Sequence, residues 1–342
     1  MIVPSSPHPA DHLQRPVRDL RISVADRCNL RCLYCMPERP SQGPYAYAPR
    51  SDILSFEEIT RLARILARLG VRKLRLTGGE PLLRRDVACL VSMLARLEGI
   101  EDLALTTNGL TLAEHTQALR RAGLRRVTVS LDSLDPGRFR EISGGHGSLA
   151  SVLEGLAAAR RLGLTPIKIN TVVLRGMNED QIPAIAAFAR EHGDVVRFVE
   201  YMDAGNVNGW RLEDVVTADE ILARLEAAGL ALDPLPAELQ GGVATRYRYR
   251  DGGGEVGIIA SVSRPFCQSC TRLRVSTDGK LYTCLFASHG FDVRSLLRSG
   301  AGDPEIEDSL RRLWTQRRDR YSEERSEATA RAAKVEMFKI GG

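Results

Sequence analysis

Short apolar runs alternate with longer amphipathic stretches from Val17 to about Asp203. The runs at 20–24, 73–76, 102–106, 126–131, 167–173 and 195–201 are predicted strands. Between them, apolar residues recur at i, i+3, i+4 over 56–69, 86–97, 112–121, 148–162 and 180–191, the period of helices that bury one face. Gly70, Gly123 and Gly163 follow three of these stretches, where a helix end favours a left-handed residue. Strands separated by helices predict a parallel sheet with right-handed crossovers. Six such units fall short of an eightfold barrel, which leaves an open partial barrel or a doubly wound sheet.

After about Pro236 the texture changes. Segments 245–250 and 256–261 read as strands joined through Asp251-Gly252-Gly253-Gly254-Glu255. Gly252, Gly254 and Gly257 formally match a dinucleotide-binding fingerprint, but no helix opens behind them, so a hairpin is expected. A second hairpin is expected over 273–282, turning at Asp278-Gly279. Segment 304–334 is charged and reads as a solvated helix. Residues 1–16 hold four prolines and no apolar core, and read as a flexible tail. The expected division is a tail at 1–16, a first domain at 17–235 and a smaller C-terminal α+β region at 236–342.

With 43% hydrophobic and 27% charged residues among 342, the chain has the balance of a soluble globular protein. No stretch approaches the ~18 apolar residues of a membrane span. Neither is there a secretory leader, so a cytoplasmic location is expected. The net charge of +5 is too small for a dedicated nucleic-acid binder, but suits an anionic small molecule held in one pocket. All but five of the 48 basic residues are arginine, which reads as a coding bias.

The seven cysteines sharpen the picture. Cys28, Cys32 and Cys35 form a C-x3-C-x2-C run; Cys267 and Cys270 are followed by Cys284. Cys89 stands alone in a helical stretch and is expected to be a packed core thiol. An odd, clustered set without a leader argues against a disulfide framework. Structural zinc usually takes four ligands, and each triplet lacks one. A cubane iron–sulfur cluster held by three cysteines keeps one iron open to a non-protein ligand. Zinc competes mainly at the second triplet, where His289 could complete the set.

The loops after the predicted strands carry the unusual residues: the first triplet, Thr77-Gly78-Gly79-Glu80-Pro81, Thr107-Asn108-Gly109, Ser130 to Ser133, Asn170, and Glu200-Tyr201-Met202-Asp203. In any parallel α/β sheet these strand ends share one face, the face that holds sites. There is no Walker A loop. Gly78-Gly79 reads both as a tight turn and as a close backbone approach to a ligand.

This constellation resembles the radical S-adenosylmethionine (SAM) enzymes. Within them, Asp26-Arg27-Cys28-Asn29, Tyr34-Cys35-Met36-Pro37, the Gly-Gly-Glu-Pro loop, Leu105-Thr106-Thr107-Asn108-Gly109, Glu200-Tyr201-Met202-Asp203, the second triplet and the terminal Gly341-Gly342 are similar to the GTP 3′,8-cyclase family of molybdenum cofactor biosynthesis. Ala25 departs from the threonine common in that family. The resemblance implies an open partial (β/α)6 TIM-like barrel whose C-terminal region carries a second iron–sulfur cluster. It implies two [4Fe-4S] clusters, on Cys28, Cys32 and Cys35 and on Cys267, Cys270 and Cys284, and SAM bound by Tyr34, Gly79, Ser130 and Met202. GTP would meet Arg21, Arg75, Thr106, Lys168, Arg272, Leu273 and Arg274, with Lys73, Arg197, Gly341 and Gly342 as further candidates. The implied reaction converts GTP, through a 5′-deoxyadenosyl radical, to (8S)-3′,8-cyclo-7,8-dihydroguanosine 5′-triphosphate. An external electron donor and a downstream enzyme forming the cyclic pyranopterin are implied; a homodimer is left open. Two rivals stand: a peptide-modifying radical SAM enzyme with an auxiliary cluster, and a zinc-dependent nucleic-acid binder. The latter is opposed by the near-neutral charge and an aromatic content of only 5%.

Overall fold

A computed structural model of the chain describes residues 8–36, 47–236 and 241–341. The six strands form within one residue of their expected ends: β1 (Asp19–Ser23), β2 (Lys73–Thr77), β3 (Asp102–Thr107), β4 (Arg126–Ser130), β5 (Lys168–Val173) and β6 (Val195–Glu200). They pair in parallel in chain order. The crossovers carry α1 (Phe56–Arg68), α2 (Val87–Ala95), α3 (Leu112–Arg121), α4 (Pro136–Ile142) with α5 (Leu149–Arg161), and α6 (Ile182–Glu191). In α1 the pattern acts as written. Ser55 and Glu58 form a reciprocal capping box, and Ile59, Leu62, Ile65 and Leu66 bury one stripe.

The rest of the chain contributes α7 (Ala218–Ala227), β7 (Leu232–Pro234), β8 (Thr245–Tyr249), β9 (Glu255–Ile259), β10 (Arg272–Val275), β11 (Lys280–Tyr282), β12 (Phe291–Asp292), α8 (Val293–Arg298), α9 (Asp303–Thr315), α10 (Glu327–Arg331) and α11 (Met337–Ile340). Both expected hairpins form, β8 with β9 and β10 with β11. They extend the first sheet at its two ends, where β10 lies parallel to β1 and β9 parallel to β6. The result is one twelve-stranded sheet, ordered β12-β11-β10-β1-β2-β3-β4-β5-β6-β9-β8-β7. A cut at 235/236 falls between β7 and β8, which pair with each other.

The sheet is curled. Side chains from β10, β1, β2, β3, β5, β6 and β9 line a single cavity. In a flat sheet β10 and β9 would stand about 34 Å apart at the usual strand spacing. The eight parallel strands therefore bend into an open barrel, with edge strands on either side.

Three expectations are corrected. Segment 304–334 is not one solvated helix: α9 buries Ile306, Leu310 and Trp314, and Arg61 and Arg68 of α1 pair with its Asp303 and Glu307 at 2.8 Å. The chain then leaves the helix at a buried Arg317. Residues 8–16 are not a free tail: Asp11 and Arg15 are each 2% exposed, held by ion pairing to each other and by bonds to the C-terminal region. Positions 1–7 of that expectation lie outside the described residues. Cys89 is exposed rather than packed, because α2 turns Val87, Leu90, Val91 and Leu94 inward. No described helix is long and apolar enough to cross a membrane.

Candidate active site

Both cysteine triplets line the same cavity at the C-terminal ends of the strands. The first occupies the loop after β1. Leu30 N and Asn108 Nδ2 donate to Cys28 Sγ at 3.4 and 3.6 Å. Burial first, and neighbouring negative groups after it, push the Cys32 and Cys35 thiols well up. Such thiols become thiolates only beside a strong cation, which a metal centre supplies. Three thiols lining one cavity, with no fourth protein ligand among the described residues, fit a cluster with one open iron.

The Gly-Gly-Glu loop is explained by its neighbour. Gly79 N donates to Ala25 O at 2.6 Å, and Glu80 N to Arg27 O at 2.7 Å. A Cβ at Gly78 or Gly79 would strike the Ala25 or Arg27 carbonyl. Both glycines thus let two loops touch, and those amides are already engaged. The Ala25 contribution is its backbone carbonyl, which the change from threonine leaves intact. The Glu80 carboxyl accepts from Leu82 N, Thr107 Oγ1 and Asn108 N at 2.8–3.0 Å. Burial lifts its pKa to about 7 despite those bonds. It ties the loops after β2 and β3 together.

All four expected SAM contacts, Tyr34, Gly79, Ser130 and Met202, line the cavity. The Tyr34 hydroxyl donates to Asp132 Oδ2 at 2.7 Å, and Val172 N donates to Asp132 Oδ1 at 2.8 Å. This fixes the tyrosine ring beside Cys35.

The second triplet lines the same cavity from the C-terminal part of the chain. Cys267 and Cys270 flank a short turn before β10, and Cys284 follows β11. Arg317 Nη2 and Arg272 Nη2 donate to Cys270 Sγ at 3.3 and 3.5 Å. Burial raises the Cys270 thiol, but Arg272 and Arg317 outweigh it and bring it to about 6. Burial and Asp319 push Cys284 to about 11. Arg15 Nη2 and Arg272 Nε are buried with no hydrogen-bond partner among the described residues. Orphaned donors beside thiols fit a sulfide-rich, negatively charged centre. His289 is exposed, bonded to Ser288 and absent from the cavity wall. Among the described residues no three His, Cys, Asp or Glu side chains form a single-ion site.

The same cavity holds a row of cations. Register places Arg274 of β10 beside Arg21 of β1, and Arg21 beside Arg75 of β2. Arg197 of β6 stands across from them, its Nε donating to Asn170 Oδ1 at 2.9 Å. Gly257 opposite leaves room for this side chain; a Cβ there would come within 2.9 Å of Arg197 Cγ. Arg75 donates to Thr106 and Thr128 hydroxyls at 3.1 and 3.0 Å. Burial and mutual repulsion lower every member: Arg21 well below its usual value, Arg75 to about 10, Arg197 and Arg274 to about 9, Lys168 to about 7. Like charges on neighbouring strands destabilise a sheet. A buried row of them calls for an anionic counter-charge.

Of the expected GTP contacts, Arg21, Arg75, Thr106, Arg197, Arg272 and Arg274 line the cavity. Lys168 sits close enough to Arg197 and Arg75 to feel their charge without forming the wall. Leu273 points into the hydrophobic core. Lys73 is half-exposed and paired with Asp19 and Asp102 at 3.5 and 4.0 Å. Gly341 reaches Arg274, which donates to its carbonyl. Gly342 and Pro37 lie outside the described residues. The sequence reading missed Arg15 and Arg317, which carry no motif. It quoted Glu80, Asn108 and Asp203 without a role.

Residues 22–189 match the radical SAM superfamily profile, and residues 194–323 match the profile for molybdenum cofactor synthesis C. The fold resembles that of Streptococcus suis SuiB bound to S-adenosylmethionine, with a TM-score of 0.60 at 16% identity over 86% of this chain and 68% of that one. Fold and cysteine site together define a radical SAM enzyme. Over 320 residues the chain is 54% identical to a GTP 3′,8-cyclase of Acidothermus cellulolyticus, covering 92% of this chain and 88% of the relative. A Staphylococcus aureus GTP 3′,8-cyclase is 45% identical over 336 residues, covering 97% of this chain and 98% of the relative. The chain belongs to the GTP 3′,8-cyclase family.

Proposed function

We propose that this chain is a radical SAM cyclase that converts GTP to (8S)-3′,8-cyclo-7,8-dihydroguanosine 5′-triphosphate, the first step of molybdenum cofactor biosynthesis. The observation that carries this reading is the buried row Arg274, Arg21 and Arg75, with Arg197 facing it, in one cavity with both cysteine triplets.

Cys28, Cys32 and Cys35 would hold the first cluster, with SAM against Tyr34, Gly79, Ser130 and Met202. When bound, that pair supplies one-electron cleavage of SAM and, from it, hydrogen-atom abstraction at the ribose 3′ carbon of GTP. Cys267, Cys270 and Cys284 would hold a second cluster that anchors the guanine. The residues' own work is to bind, orient and exclude water. Arg21, Arg75, Lys168, Arg197 and Arg274 neutralise the triphosphate, with contacts worth about 1.5–3 kcal/mol each. Thr106 holds Arg75 in place. GTP held by the cation row and the second triplet would lie in the cavity that the first triplet also lines, and these contacts would fix its orientation there. Lys73 would act as a distant charge, and Gly341 would meet the set through Arg274. An external one-electron donor is required, and an enzyme that rearranges the cyclised nucleotide follows.

The test is anaerobic. The protein reconstituted with iron and sulfide is given SAM and a reductant, and 5′-deoxyadenosine is followed with each nucleoside triphosphate. The expected result is a rise with GTP alone, matched by GTP consumption. SAM cleavage at one rate with every nucleotide or none overturns the reading and favours a peptide substrate.

A further inference from the structure

The N-terminal arm, residues 8–16, packs beneath the second triplet as an ionic clamp. The Asp11 carboxylate accepts from Leu13 N and Arg15 N at 2.9 Å through Oδ1, and from Arg15 Nε at 2.6 Å through Oδ2. Arg317 approaches the same Oδ2 at 3.5 Å. Each arginine grips the backbone of one cysteine: Arg15 Nη1 donates to Cys267 O, and Arg317 Nη1 to Cys270 O, both at 2.7 Å. Arg15 also bonds Asp319 O at 2.9 Å, and the Trp314 indole N–H holds the Arg15 carbonyl at 2.9 Å. Asp11, Arg15 and Arg317 are 2%, 2% and 4% exposed.

Two facts do not fit a purely structural staple. The clamp buries two guanidinium groups against one carboxylate, beyond which Arg317 meets only the more exposed Asp319 at 3.2 Å. Buried charge requires a counter-charge. The third donor of Arg15, Nη2, is also buried without a partner, on a residue that lines the cavity with Cys267. A staple would use Nε and Nη1, which are already engaged. An anion on the cysteine side of the wall would supply the missing partner. Arg317 shows its chemistry, since its own spare amino group bonds the Cys270 sulfur.

We infer that Arg15 is a positioning residue of the second iron–sulfur centre: Nη2 donates to sulfur of that centre, and with Arg317 it raises the centre's reduction potential. This rests on the cluster reading of Cys267, Cys270 and Cys284 proposed above. Hydrogen bonds to sulfur and nearby positive charge favour the reduced, more negative state. The arm thereby makes the second centre easier to reduce.

The test uses the full chain with Cys28, Cys32 and Cys35 replaced by alanine, leaving the second triplet alone. Iron and sulfide per chain are measured, then the midpoint potential by electron paramagnetic resonance titration. Arg15→Met is expected to lower the ratio of reduced to oxidised centre at least tenfold at a fixed potential, a shift of about −59 mV for one electron. Arg15→Lys keeps the charge but not the fork, and is expected to fall between. Trp314→Phe removes the tether to the Arg15 carbonyl but keeps an aromatic ring under the Arg317 guanidinium, and is expected to leave the potential in place. An unmoved potential in both Arg15 variants, or an equal shift in Trp314→Phe, overturns the role of Arg15 while leaving the cluster standing. A parent protein that takes up no iron and sulfide at this triplet overturns the cluster reading, and the inference with it. Should Arg15→Met fail to fold, the Arg15→Lys potential decides alone.

Discussion

The Arg274 guanidinium donates to the carbonyl of Gly341, bringing the last described residue of the chain onto the cation row. Gly341 adopts φ +70°, and a Cβ there would run into the Thr77 side chain at the end of β2. Deleting Gly341 and Gly342, or making Gly341→Ala, is expected to lower cyclised product at least tenfold. The truncation is expected to change the unfolding midpoint much less than product formation, whereas Gly341→Ala, at a buried position with positive φ, is expected to lower the midpoint as well. Full product formation by the truncated chain would show the tail to be inert.

The triplets predict separable defects. Cys28→Ala is expected to abolish 5′-deoxyadenosine formation altogether. Cys267→Ala is expected to leave SAM cleavage measurable but uncoupled from GTP, and to abolish cyclised product. Chromatography of both products separates the two. Full cyclisation by the Cys267→Ala protein would remove the second triplet from the site.

The cation row costs stability and contributes affinity. Arg21→Met keeps the stem and removes one buried charge from between Arg274 and Arg75. GTP binding is expected to weaken about 10- to 150-fold, the equivalent of one charge-assisted contact. The ligand-free protein should unfold at an equal or higher temperature, because the charge removed has only like neighbours along the row. A clear loss of ligand-free stability would mean that Arg21 is a structural group.

Lys168 makes binding pH-dependent. Burial, followed by repulsion from Arg197, Arg126 and Arg75, lowers its pKa to about 7. Above that pH the free protein holds it neutral. A triphosphate restores the charged form, so binding at pH 8 should take up close to one proton. Calorimetry in two buffers of different ionisation enthalpy measures this. Lys168→Met should abolish it, and no uptake in the unaltered protein would remove Lys168 from the phosphate set.

Asp203 fastens the C-terminal segment to the barrel. Its buried carboxylate accepts from the Tyr321 hydroxyl, from Arg325 Nε at 3.0 Å and from Lys334 Nζ at 3.4 Å. Asp203→Asn leaves two buried cations uncompensated and is expected to cost about 3–5 kcal/mol in urea unfolding. A loss below about 1 kcal/mol would show that the segment holds itself in place.

The sequence by itself determined the local elements and the ligand chemistry. The strands and crossover helices follow from apolar periodicity, which each segment carries alone. The triplet in 28–35 sits on one loop whatever the rest of the chain does. Tertiary structure decided what converges. Arg274 and Arg21 are far apart in sequence, and only the parallel pairing of β10 with β1 sets them side by side. Nothing local in residues 8–16 or 304–334 announces that Arg15 and Arg317 meet at one buried aspartate. Those segments read as solvated because charged residues are usually exposed, and their burial depends on partners supplied from the other end of the chain. Spacing writes short-range order into the sequence. Charge pairing across a curled sheet depends on register and closure, which exist only once the fold has formed.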